Sequence, residues 1–396
     1  MINSNVFSGR LNIEFEPNRL SCLYDAKSAK GEKIIDLTSS NTTKSGFIYD
    51  TNILTKNFPE SSVMIYNPDP RGLIAARETV RDYYKEIGKQ VNIEDIFITP
   101  GTSEAYSYLF KLLLNPEDEI LIPQPCYPLF EYLAMLDSGC VDYYPLKYEH
   151  KNGWRTEFEV LRNRIKDKTK AVVVVNPNNP TGSYIKSAEY IEFLSICREH
   201  KIALIADEVF SDFLISPCSH YLKTISGEDS YLNFILNGFS KMLGLPQFKF
   251  GWIIVEGEED LKNEALKRLE IISDTYLSVS SIIQNISGNL YETRNKIQRQ
   301  ISGRITENYE LLQNKFLLNP DIRLLKCEGG WSSVLSFANL LIPEDDFVYN
   351  LLEKKNVLVH PGYYYDFDRE GYAVLSLLTE TKLLEEGIDR ILSLYA

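Results

Sequence analysis

Two lysines near the middle of the chain, Lys241 and Lys249, lie in the stretch NGFSKMLGLPQFKFGW, residues 237–252. Lys241 follows a Gly-Phe-Ser sequence at the end of an apolar run. A lysine that is partly removed from water beside other cations can have a lowered pKa and act as a nucleophile toward carbonyl groups. A lysine is also an ordinary solvated surface residue, so its interpretation depends on which groups the fold brings to it.

Two further apolar runs end in polar groups. IALIADEVF ends with Asp207 and Glu208, and a carboxylate in these apolar surroundings needs a partner. Because successive side chains of a strand alternate in direction, only one of the two faces a given side. AVVVVNPNNPTG places Asn179 in a loop whose backbone is restricted by two prolines. This loop is either a plain turn or a rigid support for the Asn179 amide.

A fourth stretch, DIFITPGTSEA, predicts a helix that begins near Thr102 and Ser103 directly after a strand. The free N–H groups of such a helix start favour an anion, most commonly phosphate. The alternative is that one of the two hydroxyls caps the helix, with Glu104 in its first turn.

These polar groups share one setting, since each follows a short apolar run and segments of helical period separate the runs. The runs are DIFITPG, EILIPQP, AVVVVNP, IALIADEVF, NFILNGF and GWIIVEG, and the helical segments are SEAYSYLFKLLL, LFEYLAML and AEYIEFLSICREH. This alternation predicts an α/β domain with a mainly parallel sheet covered by helices on both faces. Such sheets bind ligands at the carboxyl ends of their strands. An anion site, an amide, a carboxylate and a lysine are therefore expected at one edge.

The rest of the chain predicts a smaller α+β domain. A long helical stretch with breaks runs from Glu259 to Gln313, and the short strands DIRLLKC, WSSVLSF, NVLVH and YAVLSLL follow. We expect an N-terminal arm and part of the small domain at 1–45, a large cofactor-binding domain at 46–272, and the small domain at 273–396. The first 45 residues are polar and irregular, with few periodic signals.

The composition limits the possible partners and cofactors. A formal net charge of −13 argues against binding to nucleic acid or to an anionic membrane. No apolar run approaches the roughly 20 residues that span a bilayer, and the N-terminus lacks an apolar signal segment, so we expect a cytoplasmic protein. The four histidines lie far apart, and the cysteines form no CxxC pair, so we expect no metal site and no disulfide framework. The cysteines are Cys22, Cys126, Cys140, Cys197, Cys218 and Cys327.

The order of the motifs NPNNPTG, ADEV and SKxxGLPxxKxGW resembles that of the fold type I pyridoxal-phosphate enzymes, specifically the aspartate aminotransferase-like class I and II aminotransferase family. YNPDPRGLIAARETV, GTSEA, PCYPLFEYL, PGYYYDF and GYAVLSLL are similar to further segments of this family. The resemblance covers nearly the whole chain. It implies an enzyme of this fold that binds pyridoxal 5'-phosphate (PLP).

The resemblance also implies roles for single residues. Lys241 would form the internal aldimine with PLP and move the proton between the substrate Cα and the cofactor. Asp207 would pair with the pyridinium nitrogen and keep it protonated, which makes the ring an electron acceptor. Asn179 would hydrogen-bond the phenolic oxygen, and Tyr127 would stack on the ring.

The cofactor phosphate has its own predicted set of ligands in this resemblance. They are the amides of Thr102 and Ser103, the Ser240 hydroxyl, the Lys249 ammonium, and Tyr66 of the other subunit. A C2 homodimer with both sites at its interface is therefore implied.

The sequence departs from the family pattern at four positions. Phe210 replaces a tyrosine that donates to the phenolic oxygen, which should raise the pKa of the internal aldimine. Lys249 replaces an arginine and supplies charge without a bidentate fork. Gly238 stands where the family usually has a serine. Val374 replaces the arginine that grips the substrate α-carboxylate.

Either another arginine does that work, or the substrate is not an ordinary α-amino acid. The sequence does not choose among Arg19, Arg71, Arg294 and Arg369. His360 and the tyrosines at 363–365 are further candidates for the pocket, and the tyrosines could equally pack between the domains.

The resulting hypothesis is an aminotransferase that moves an amino group from an amino acid or amine donor to a 2-oxo acid. Elimination, racemisation or decarboxylation on the same cofactor is the alternative, since the missing arginine leaves the substrate open. A ligand-sensing module is a third possibility, and the lack of a basic helix-turn-helix segment before the fold argues against it.

Overall fold

A computed structural model gives the structure of this chain. It describes residues 6–11, 18–54, 64–216, 219–226, 230–338 and 340–395. Cys218 and parts of the predicted N-terminal arm, residues 1–5 and 12–17, lie outside the described residues.

Helices and strands alternate through most of the chain. The helices are α1 (Arg19–Ala29), α2 (Ile74–Glu86), α3 (Thr102–Leu113), α4 (Leu129–Leu136), α5 (Phe158–Arg164), α6 (Ser187–His200), α7 (Phe239–Met242), α8 (Glu259–Tyr276), α9 (Ser281–Asn285), α10 (Ser287–Glu292), α11 (Arg294–Phe316), α12 (Glu344–Lys355) and α13 (Thr381–Tyr395). The strands are β1 (Ile35–Asp36), β2 (Ile96–Thr99), β3 (Glu119–Gln124), β4 (Cys140–Glu149), β5 (Gly153–Thr156), β6 (Thr169–Val175), β7 (Ala203–Asp207), β8 (Leu232–Gly238), β9 (Gly251–Gly257), β10 (Ile322–Leu324), β11 (Ser332–Phe337), β12 (Val357–Leu358), β13 (His360–Pro361) and β14 (Tyr372–Ser376).

The large sheet has the strand order β2-β9-β8-β7-β6-β3-β4-β5. The five strands from β8 to β4 are mutually parallel, which confirms the predicted mainly parallel sheet. Strand β9 is antiparallel to both β8 and β2. Its direction follows from its connection, since a parallel return needs a crossover and only the four-residue α7 and one 3-10 turn separate β8 from β9.

Apolar side chains cover both faces of this sheet. Neighbouring residues of one strand point to opposite faces, so Trp252 packs in one core and Ile253 in the other. Phe110 of α3 belongs to the core with Ile253, and Phe193 of α6 belongs to the core with Trp252. Complete burial of one such side chain contributes about 1.5–3 kcal/mol. This two-sided burial produces the unbroken apolar runs seen in the sequence.

A second, antiparallel sheet has the order β10-β11-β14-β13. Strand β1 from the N-terminal segment pairs in parallel with β12 near the C-terminal end. These strands, with α11, α12 and α13, form the smaller α+β part that the sequence predicts. The domain boundaries at 45/46 and 272/273 stay a prediction.

Several elements were not predicted from the sequence, among them helix α1 and the β4–β5 hairpin. Helix α1 lies in the stretch that was expected to be irregular. It was missed because it buries only Leu20 and Lys27 and therefore shows no apolar stripe. Asn18 caps this helix by accepting a hydrogen bond from the Ser21 N–H. The β4–β5 hairpin was not predicted because β4 is mostly half-buried, with Tyr144 as its buried residue. None of the described helices combines the length and apolar character needed to cross a bilayer.

Candidate active site

A cavity of about 580 Å³ lies at the carboxyl ends of β6, β7 and β8, with β13 and β14 of the small sheet on its other side. It is the place where an α/β sheet of this kind binds ligands. Eight of the nine residues predicted for the site line it. They are Thr102, Ser103, Tyr127, Asn179, Asp207, Ser240, Lys241 and Lys249.

Asp207 is the last residue of β7 and is almost fully buried. Its carboxylate accepts hydrogen bonds from the Tyr106 hydroxyl at 3.2 Å and from the Val209 N–H at 3.1 Å. Burial raises the pKa of Asp207 to about 6, although both hydrogen bonds and the nearby Lys241 charge oppose the rise. A cation brought to this carboxylate would therefore recover much of the cost of burying its charge.

The structure separates the two neighbouring acids, between which strand alternation did not choose and of which the family resemblance favoured Asp207. Asp207 lines the cavity, whereas Glu208 lies in the protein interior and accepts a hydrogen bond from the Ile225 N–H at 2.8 Å. Burial raises the pKa of Glu208 to about 8. Asp207 is therefore the acid of this pair that can act on a ligand in the cavity.

Lys241 lies in the short helix α7, directly after β8. Its Nζ is 5.2 Å from the ring centroid of Trp331 and 5.5 Å from that of Phe210. Burial lowers the pKa of Lys241, and the Asp207 carboxylate opposes the change. The amine therefore stands in a largely aromatic setting, and burial rather than a neighbouring cation lowers its pKa.

Helix α3 starts at the cavity, and its first residues are Thr102 and Ser103. Its N-cap residue is Gly101, and no side chain caps the first turn. The alternative in which a hydroxyl caps this helix is therefore not observed. The N–H groups of the first turn have no partners within the helix and can bind an anion.

Close packing of glycines holds this helix start beside Lys241. A Cβ on Gly251 would lie 2.9 Å from the Cα of Gly101, and a Cβ on Gly238 would lie 2.8 Å from the Phe250 carbonyl oxygen. The start of β9 thus approaches the loop before α3, and the end of β8 approaches residues 250 and 251, more closely than side chains allow. The glycine at 238, where the family usually has a serine, is explained by this contact.

Lys249 is exposed on the cavity rim and adopts a left-handed backbone conformation with φ 52°. It forms no ion pair with any residue that the structure describes, so its charge is available to a ligand. Ser240 lines the same part of the cavity. The start of α3, Ser240 and Lys249 together form an arrangement suited to a phosphate.

Asn179 and Tyr127 complete the set on the large-sheet side. The Asn179 Oδ1 accepts a hydrogen bond from the Ser332 hydroxyl at 3.2 Å, which orients the amide. Tyr127 lines the cavity and is 48% exposed, so its side chain is accessible to a ligand there.

Tyr66 is the predicted residue that the structure does not bring to this cavity. It is 82% exposed and borders a separate surface pocket together with residues 277–281. Its proposed role requires a second subunit, and that role stays a prediction.

The small-sheet side of the cavity carries no arginine among the residues that the structure describes. Val374 and His360 line it, and of the tyrosines at 363–365 only Tyr365 does so. The four candidate arginines instead contact other residues elsewhere. Their partners include Asp346 for Arg19, Glu270 for Arg71, Glu86 for Arg294 and Ser336 for Arg369.

Sequence reasoning missed Tyr106 and Trp331, which both line the cavity. Tyr106 could have been found, because it follows Thr102 by four residues and so lies on the same face of α3. Trp331 comes from the segment before β11, and no local pattern connects it with Lys241. Among the described residues, no group of His, Cys, Asp and Glu is arranged to hold a metal ion.

Comparisons with known proteins agree with this geometry. The family model for aminotransferase class I and II matches residues 33–391. The glutamate-pyruvate aminotransferase AlaA of Escherichia coli K12 is 29% identical over 289 residues, which cover 67% of this chain and 70% of AlaA. The tyrosine aminotransferase of Dictyostelium discoideum is 27% identical over 330 residues, covering 79% of this chain and 77% of that protein.

A solved structure of alanine aminotransferase from Pyrococcus furiosus has the same fold, with a TM-score of 0.87 and 23% identity. The match covers 98% of this chain and 99% of that one. The family match spans both sheets and every residue that lines the cavity. The chain belongs to the class I and II aminotransferase family.

Proposed function

We propose that this chain transfers an amino group from an amino acid or amine donor to a 2-oxo acid, with PLP held by Lys241. Family membership supports transamination, and the observation that carries the residue assignment is the position of the Lys241 amine. It shares one cavity with the buried Asp207 carboxylate and with an uncapped helix start beside Lys249.

The residues present fit the cofactor. Its phosphate matches the start of α3 with Ser240 and Lys249, and its ring nitrogen matches Asp207. Its phenolic oxygen matches the Asn179 amide, its ring matches Tyr127, and its aldehyde matches the amine of Lys241. When bound, PLP supplies an electron sink for the bond that is broken at the donor Cα.

The protein contributes positioning and proton transfer. Lys241 is the base that takes and returns the proton at the donor Cα, and its lowered pKa increases the fraction of unprotonated amine. Asp207 holds a proton on the ring nitrogen, and the Tyr106 hydroxyl orients Asp207. Phe210 and Trp331 form an aromatic wall that limits water around the Lys241 amine.

The assignment of Lys241 can be tested directly. Protein loaded with PLP should absorb in the near-visible, and borohydride reduction followed by peptide mapping should place a stable adduct on Lys241. An adduct on another lysine, or none, would contradict the assignment. Asn179→Ala is a useful companion variant, because it should alter the absorbance while leaving the adduct in place.

The type of reaction needs a separate measurement. Loaded protein is mixed with a panel of amino donors, with and without a 2-oxo acid. Transamination predicts that sustained formation of keto acid requires the acceptor. Sustained keto acid formation without an acceptor would instead indicate elimination on the same cofactor.

A homodimer is the assembly that the family resemblance implies. Exposed apolar side chains support it, including Ile74, Ile271 and Ile65, the residue before Tyr66. In mixed dimers of Lys241→Ala and Tyr66→Ala chains, one of the two sites regains both residues. Activity of the mixture above that of either variant would support a shared site, and no gain would oppose it.

A further inference from the structure

The cavity wall opposite Lys241 is formed by the small sheet around Val374. In the antiparallel ladder, His360 of β13 lies directly across from Val374 of β14, and Val334 of β11 lies on the other side of Val374. Residues paired in this way point to the same face of a sheet. The side chain of His360 is therefore the direct cross-strand neighbour of Val374, and both residues line the cavity.

Among the residues that the structure describes, no arginine lines the cavity beside Val374. Every ionisable side chain that lines the cavity is either on the large-sheet side or is His360 or Tyr365. Lys241 and Lys249 both come from the segment after β8. A carboxylate placed against Val374 without a hydrogen-bond donor would lose its hydration uncompensated, which is costly.

His360 is held in a defined orientation. Its Nδ1 lies 3.1 Å from the hydroxyl of Tyr365. Among the described residues, each of these two side chains forms this one hydrogen bond. Tyr365 is buried, and its hydroxyl can donate to Nδ1, which places the imidazole proton on Nε2. Both residues line the cavity.

The imidazole is suited to act as a neutral donor. Burial lowers the pKa of His360, and the nearby Asp36 carboxylate opposes the change. A neutral donor binds a carboxylate through one hydrogen bond, in contrast to the bidentate fork of an arginine.

We propose that His360, oriented by Tyr365, binds the α-carboxylate of the amino donor at the position beside Val374. This inference rests on the proposed aminotransferase function and specifies its substrate as an α-amino acid. The arginine of the family pattern is thus replaced by a side chain from the neighbouring strand.

Two matched ligand pairs test the proposal on PLP-loaded protein. They are L-alanine with ethylamine and L-tyrosine with tyramine, since each amine lacks only the carboxylate of its partner. The apparent Kd is read from the near-visible absorbance change without an acceptor. His360→Phe should weaken amino acid binding on the order of 10–100-fold and change amine binding by less than about twofold, as expected for one hydrogen bond to a charged group.

Three further variants sharpen the result. His360→Gln keeps a neutral donor and should retain most of the affinity. Val374→Arg added to His360→Phe should restore amino acid binding, whereas Val374→Leu added to it should not. Tyr365→Phe should give a smaller, selective loss, and it tests the proposal even if His360→Phe does not fold.

An equal effect of His360→Phe on acids and amines, or no effect on either, would overturn the proposal. The same holds if loaded wild-type protein binds the amines and not the amino acids. Failure of the underlying function looks different, since no donor would then transfer its amino group to any 2-oxo acid. Normal transfer with an unchanged ratio of acid to amine affinity would refute the role of His360 alone.

Discussion

The two sides of the cavity are built in different ways. On the large-sheet side, the ligand-facing groups come from strand ends and from the start of α3, so backbone geometry places them. On the small-sheet side, single side chains on β13 and β14 decide what can bind. The first side keeps the cofactor motifs of the family with exchanges at Phe210, Gly238 and Lys249, and the second loses the carboxylate-binding arginine at Val374.

This difference separates the conditions for chemistry from those for specificity. Any chain that forms the same sheet has the same arrangement of a strand end next to a helix start. A side chain on the facing wall can be exchanged without disturbing that arrangement, and a residue on the next strand can take its place. Substrate preference can therefore change while the cofactor site is kept.

The largest effect is expected from Lys241→Ala. Removal of the amine takes away both the cofactor attachment and the base, so turnover should fall about 10³–10⁴-fold. Turnover and near-visible absorbance report the result, and circular dichroism checks the fold. Lys151→Ala, in an exposed turn, is the control and should retain activity. Wild-type turnover of Lys241→Ala would contradict the assignment of the essential amine to the large-sheet side of the cavity.

Asp207→Asn tests whether the buried carboxylate on the large-sheet side destabilises the protein before the cofactor binds. The folded-state pKa of Asp207, about 6, lies above its ordinary value of 3.8. Cofactor-free wild type should therefore lose about 3 kcal/mol of stability from this residue as the pH rises from about 4 through 6. The asparagine variant lacks this loss, so the stability difference between the two proteins should grow with pH. Urea denaturation at several pH values measures it, and a pH-independent difference would contradict the assignment.

Gly238→Ala tests the close packing between the end of β8 and residues 250 and 251 at the start of β9. The new Cβ would lie 2.8 Å from the Phe250 carbonyl oxygen and 3.0 Å from the Gly251 Cα, so the backbone must shift. We expect a loss of about 1–3 kcal/mol in the free energy of unfolding.

Gly303→Ala is the matched control, since Gly303 lies in the interior of α11 with no atom within 4 Å of an added Cβ. Alanine should stabilise this helix by about 0.5–1 kcal/mol. Chemical denaturation of both variants decides the comparison. Equal effects at the two positions would show that the packing at 238 is loose.

The smallest effect is expected from Phe210→Tyr, at the border between the two sides. Phe210 packs against Trp331 with ring centroids 5.3 Å apart. A tyrosine hydroxyl would add a donor for the phenolic oxygen of the cofactor, which should lower the pKa of the cofactor-linked Lys241 nitrogen by about one unit or less. Absorbance titration of loaded protein measures this pKa, and an unmoved value would count against the predicted role of position 210.

The parallel part of the sheet was predictable because each buried strand is a continuous apolar run. Asn179, Asp207, Lys241 and the helix start at Thr102 were singled out because they directly follow those runs, whereas the family resemblance supplied Tyr127, Ser240 and Lys249. Helix α1 and strand β4 were not, since neither buries enough apolar surface to produce a periodic signal. The antiparallel direction of β9 also lies beyond the hydrophobic pattern, because its apolar run resembles the runs of the parallel strands.

The sequence by itself determined the family, the class of fold and the groups that would meet at the sheet edge, because these depend on local patterns and their order. Strand alternation did not choose between Asp207 and Glu208, and the family resemblance pointed to Asp207. The tertiary structure then placed Asp207 at the cavity and Glu208 in the interior. It also placed His360 beside Val374 and kept the four candidate arginines away. Those outcomes depend on strand register and on ion pairs between distant segments, which no local pattern encodes.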